Sequence, residues 1–89
     1  MTAKVLDIVN EKGLHARASA KFVEVVEAHD AEALVEKDGM SVSGDSIMGL
    51  LMLAASKGTQ ISVATSGPEA AMLLDALSAL VRNRFGEDS

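Results

Sequence analysis

Apolar and polar positions follow two rhythms along this chain. Val, Leu and Ile crowd Lys4 to Val9, which predicts a strand, and Asn10-Glu11-Lys12-Gly13 predicts the loop that ends it. From Ala16 to about Ala28 the period becomes helical, with Ser19, Phe22, Val23 and Val26 on one face and Lys21, Glu24 and Glu27 on the other. His29-Asp30 closes that helix; a histidine near a helix C-terminus interacts favourably with the dipole and needs no ligand. Ala33–Lys37 and Met40–Ser43 read as strands, and the Asp38-Gly39 pair between them predicts a two-residue hairpin. Gly44-Asp45-Ser46 leads into a short helix from about Ile47 to Ala55, with Ser46 as its N-cap and Lys57-Gly58 as its stop. Gln60 to Thr65 alternates at period two. A final helix runs to about Arg84, capped by Ser66 or Gly67 with Pro68 at its first helical position. Its stripe is Ala70, Leu73, Leu74, Leu77 and Val81, with Asp75, Ser78 and Arg82 outside. Gly86 to Ser89 reads as a frayed acidic tail.

The element order is therefore βαββαβα, an α+β chain, and a four-stranded sheet covered on one face by three helices would bury every stripe. At 89 residues the chain makes a single domain, 1–89, near the lower size for a core without staples. Phe22 and Phe85 are its only aromatics, so the core is expected to be aliphatic and filled with methionine. The absence of cysteine excludes disulfides, thiolate metal sites and a thiol nucleophile. The charged, alternating start does not read as a signal peptide, and no stretch has transmembrane length, so a cytoplasmic protein without membrane insertion is expected.

A net charge of −5 argues against nucleic acid, whose binding rests on many basic contacts. Its distribution is informative. Between Glu11 and Lys21 three cations, Lys12, Arg17 and Lys21, face one anion, a local charge of +2 that leaves −7 on the remainder. Within that basic segment lies Gly13-Leu14-His15-Ala16-Arg17-Ala18-Ser19. His15 stands just ahead of the helix, where first-turn N–H groups lack intrahelical partners and the dipole favours an anion. Arg17 adds a planar fork of donors suited to phosphate oxygens. A neutral imidazole is nucleophilic near pH 7. His15 is thus the candidate phosphoryl acceptor, and Arg17 with the backbone N–H groups of Ala16 and Arg17 the candidate phosphate holders. The plain alternative is an N-capping histidine beside a solvated arginine. For Ser46 the cap alone explains a serine. Ile47, Met48, Leu51 and Met52 are more apolar residues than so short a helix can bury on one face, although helical spacing alone makes most of them core.

Three blocks in order, Lys12-Gly13-Leu14-His15-Ala16-Arg17, Asp45-Ser46-Ile47-Met48-Gly49-Leu50-Leu51 and Ala55-Ser56-Lys57-Gly58, resemble HPr, the histidine-containing phosphocarrier family of the phosphoenolpyruvate-dependent phosphotransferase system. The resemblance implies an open-faced sandwich with an antiparallel sheet. It implies transfer from phosphorylated enzyme I through Nδ1 of His15 to a histidine of an enzyme IIA protein, with no metal or cofactor. It further implies a docking patch at Ile47, Met48 and Leu51, and regulation at Ser46 by HPr kinase/phosphorylase. One position departs: Ala18 stands where the family usually has proline. Glu24 and Glu27, where relatives often have lysine, and the Leu50-Leu51-Met52-Leu53 run resemble the nitrogen-related NPr branch.

Two other functional classes compete. A regulatory docking protein would act through Ile47, Met48 and Leu51 without carrying phosphate, and His15→Ala would leave its regulation intact. A small acylphosphatase-like hydrolase would release free phosphate over many turnovers, but needs a positioned water for which the sequence offers no partner in motif context.

Overall fold

Strand β1 (Thr2–Asp7) runs along one edge of a four-stranded antiparallel sheet, beside β4 (Gln60–Ser66), then β2 (Glu32–Lys37), then β3 (Met40–Ser43) at the opposite edge. The computed structural model describes residues 2–88. Register puts Leu6 opposite Ile61 and Val35 opposite Val63, so the buried positions of β1, β4 and β2 lie on one face, which half-buried Val42 of β3 joins opposite Val35. Helices α1 (Ala16–Glu27), α2 (Ile47–Met52) and α3 (Ala70–Arg82) cover that face. Val5 and Leu34, on the other face, stay exposed, as expected of a sheet covered on one side only.

The α+β order and the stripes hold, with corrections at the ends. Strand β1 ends at Asp7, because Ile8 turns to exchange backbone bonds with the facing loop, accepting from Gly58 and donating to Thr59. Helix α2 stops at Met52: Ala54 has φ of 51°, and the Ala55 carbonyl accepts from Leu14 rather than from a further helical turn. Pro68 lies in the turn before α3, not in its first helical position, and the N-cap is Glu69 rather than Ser66 or Gly67. The Glu69 amide donates to Asp30 while its carboxylate accepts from the Asp30 amide, so a neighbouring loop decides where α3 begins. Ser78 faces inward, its hydroxyl satisfied by the Leu74 carbonyl at 2.8 Å.

The core is aliphatic with both phenylalanines buried, and it is not filled with methionine. Met40, Met48, Met52 and Met72 are all exposed. Asp38 and Gly39 both take positive φ, the pair required by the hairpin turn that a two-residue Asp-Gly loop predicts. Among the described residues no helix is long and apolar enough to cross a membrane.

Candidate functional site: a histidine at the mouth of α1

His15 is carried on a loop clamped to its neighbour. Gly13 has φ of 65°, and a Cβ there would lie 2.4 Å from the Ala55 carbonyl oxygen, so only glycine lets the two loops approach this closely. Leu14 then donates to that carbonyl at 2.8 Å and buries its side chain. The next residue, His15, is the N-cap of α1 with extended backbone, and its carbonyl accepts the first helical bond from Ser19. Among the described residues the amides of Ala16, Arg17 and Ala18 have no backbone acceptor, and no side chain caps them.

The imidazole does not cap its own helix. Its Nε2 pairs with Oε2 of Glu87, 72 residues away. The other carboxylate oxygen, Oε1, accepts from Nδ2 of Asn10 at 3.0 Å. Asn10 is fully buried and also donates to the Gly13 carbonyl at 2.9 Å, while its Oδ1 has no partner among the described residues. The reverse amide orientation would set an oxygen against two acceptors, so the bonds themselves assign it. The bond from Asn10 first, and that from His15 second, hold the Glu87 carboxyl below its ordinary value, against a smaller opposing effect of burial.

The tail is therefore folded, contrary to expectation, as far as residue 88; Ser89 lies outside the described residues. After α3 the chain reverses through Arg84, Phe85 and Gly86, all with positive φ. Such conformations are unfavourable outside glycine. Complete burial of Phe85 and a 2.6 Å bond from Lys21 Nζ to its carbonyl hold the turn in place. Glu87, Asn10 and the anchoring role of Lys21 escape sequence reasoning; the available signal was an aromatic residue just past the end of an amphipathic helix, which has to be buried somewhere.

Lys12, His15, Ala16, Arg17, Lys21 and Glu87 line one open cleft, with Gly86 and Asp88 at its C-terminal side. Arg17 is exposed and, among the described residues, makes no ion pair. The cleft thus gathers a half-buried imidazole, unpaired helix N–H groups and an uncommitted guanidinium, which together can hold a tetrahedral dianion at a nucleophilic nitrogen. Elsewhere, Ser46 caps α2, its Oγ accepting from Gly49 at 3.0 Å. Ile47 and Met48 are exposed and Leu51 half-buried, with Met52 also exposed, while Leu50 and Leu53 are buried. His29 bonds through Nδ1 to the Val25 carbonyl one turn back.

The family model for the PTS HPr component phosphorylation site matches residues 2–83. The chain belongs to the HPr phosphocarrier family. It is 45% identical over 87 residues to the phosphocarrier protein HPr of Neisseria meningitidis, covering 98% of both chains. Similarity to the phosphocarrier protein NPr of Escherichia coli is 40% identity over 90 residues, covering 99% of this chain and all of that one. A crystal structure of HPr-C-His from Thermoanaerobacter tengcongensis superposes with a TM-score of 0.95 at 34% identity, covering both chains completely. The α+β open-faced sandwich is the fold of this HPr family member.

Proposed function

We propose that this HPr family member accepts a phosphoryl group on Nδ1 of His15 from phosphorylated enzyme I and passes it to a histidine of an enzyme IIA protein. One observation carries the reading: the imidazole sits at the open N-terminus of α1, its Nε2 already engaged by Glu87, so Nδ1 is the ring nitrogen left for phosphorus. Arg17 and the amides of Ala16 and Arg17 hold the equatorial oxygens, since phosphoryl transfer demands mainly positioning and charge stabilisation. The protein acts as a monomer in the cytoplasm, without metal or cofactor. It docks through Ile47, Met48 and Leu51, and Ser46 is the site at which HPr kinase/phosphorylase lowers transfer by adding about −1.5 to −2 charges beside that patch.

Incubation with phosphoenolpyruvate and enzyme I, followed by intact mass measurement, tests the assignment. One acid-labile phosphate is expected, absent in His15→Ala and slower to appear in Arg17→Ala. Phosphate on His15→Ala, or none on the wild type, overturns it. The similarity to an NPr protein, with Glu24 and Glu27 exposed on α1, supports a regulatory enzyme IIA as acceptor. Equal transfer rates to a regulatory and a sugar-specific enzyme IIA would remove that preference.

A further inference from the structure

Glu87 approaches His15 from the far end of the chain on a turn held at three points: the buried Phe85 ring, the Lys21 bond to the Phe85 carbonyl and the Asn10 bond to the carboxylate. A carboxylate fixed in this way behaves as part of the site. Being ionised, it can only accept, so the proton of the pair lies on Nε2 of the ring.

We propose that Glu87 is a positioning residue for His15: it keeps the proton on Nε2, leaves the lone pair on Nδ1, and balances the charge the ring gains on phosphorylation. The inference rests on His15 being the phosphoryl acceptor. In the forward step the Nδ1 lone pair attacks phosphorus, and the bond from phosphorus to the donor's histidine nitrogen breaks, its electron pair leaving with that nitrogen. The ring keeps its Nε2 proton and becomes a phosphorylated imidazolium. No proton has to leave or arrive. In the onward step a nitrogen of the acceptor attacks phosphorus, and the Nδ1–P pair returns to Nδ1, restoring the neutral ring.

The groups facing the ring divide this work by sign. Lys12 from the loop and Arg17 and Lys21 from α1 are cations suited to the phosphate; Asp88 lies at the edge of the cleft, and Glu87 is the anion in contact with the ring. Without that carboxylate the phosphorylated ring loses its Nε2 proton at lower pH, because an adjacent negative charge favours the charged form. A neutral ring is the poorer leaving group, so onward transfer slows.

Nitrogen-15 NMR of the histidine ring tests this in Glu87→Gln and Glu87→Ala. In the unphosphorylated chain above the ring's titration, wild type and Glu87→Gln are expected to show the Nε2–H tautomer, since an amide oxygen still accepts. Glu87→Ala should move toward the averaged signals of free histidine. In the phosphorylated chain both variants should titrate about one pH unit lower, a tenfold change in proton affinity. Lys21→Met, which keeps the Glu87 side chain but releases the turn that carries it, should move the unphosphorylated ring toward the same averaged signals as Glu87→Ala. Wild-type ring signals and titration in both Glu87 variants overturn the proposal. A wild-type chain that takes up no phosphate overturns the carrier reading instead, and the unphosphorylated arm still decides whether Glu87 sets the tautomer.

Discussion

The side-chain amide of Asn10, closed off from solvent, donates at 3.0 Å to the carboxylate of Glu87, joining residues 77 positions apart. That bond ties the loop before α1 to the turn after α3 and so sets the wall of the His15 cleft. Asn10→Ala is expected to cost about 1–3 kcal/mol, the range for breaking a buried hydrogen bond. Urea unfolding measures it as a lower midpoint. An unchanged midpoint would mean that the tail contributes nothing to stability.

Acid should weaken the fold through the same contact. Asn10 first and His15 second lower the Glu87 carboxyl in the folded chain, so its stabilisation is present above the unfolded value near 4.3. It is lost as pH falls through the folded value. Denaturant midpoints collected between neutral pH and pH 2 should therefore fall less steeply on the acid side for Glu87→Gln than for wild type. Glu11 is lowered in the same sense by Lys57, but both partners are exposed, and added salt should remove its effect.

Gly13→Ala should disturb both stability and transfer. The new methyl would meet the Ala55 oxygen at 2.4 Å and the Ser56 Cα at 2.8 Å, at a φ of 65° that alanine adopts poorly. Backbone strain alone is worth about 1–2 kcal/mol, and the clash adds to it. A lowered melting temperature together with slowed phosphorylation is expected, because the residue that shifts lies two positions before His15. Phosphorylation at the wild-type rate would contradict a clamp that positions the ring.

The cap at Ser46 and the regulation proposed there are separable by substitution. Ser46→Ala removes the acceptor for the Gly49 amide and should cost about 1 kcal/mol. Ser46→Asn keeps a capping oxygen without charge and should retain stability and transfer. Ser46→Asp caps equally well but adds a negative charge beside Ile47 and Met48, so slower transfer at undiminished stability is the expected result. Equal transfer rates for the Asn and Asp variants would argue against a charge-based regulatory site.

Met48 is 69% exposed, so Met48→Glu should leave the melting temperature within about 2–4 °C, as for surface changes worth less than about 0.5 kcal/mol. A patch that docks partners should respond with a higher KM for enzyme I at similar kcat. Unaltered kinetics with both enzyme I and enzyme IIA would remove Met48 from the interface.

The helices and strands were legible because each carries its own period. Phe22, Val23 and Val26 face inward on α1, and Leu73, Leu74, Leu77 and Val81 do so on α3, as their spacing requires. The Asp38-Gly39 turn and the Ser46 cap were equally local, since a turn type or a cap depends on two to four neighbouring residues. The end of α2 was not legible, because it depends on the Ala55 carbonyl serving Leu14 across a loop contact. Nor was the start of α3, where Glu69 is claimed by Asp30. Ser78 counted as an outward polar residue until its bond to Leu74 let it turn inward.

By itself the sequence determined the order of elements, the single apolar face of each, and a histidine flanked by cationic donors at a helix mouth. Short-range periodicity and backbone chemistry suffice for those features. Tertiary structure alone decided that residues 84–88 fold back, that Phe85 and Lys21 fasten them, and that Asn10 and Glu87 complete the His15 site. Those contacts span 64 to 77 positions, and no local pattern encodes which distant partner a buried amide or a tail carboxylate will find.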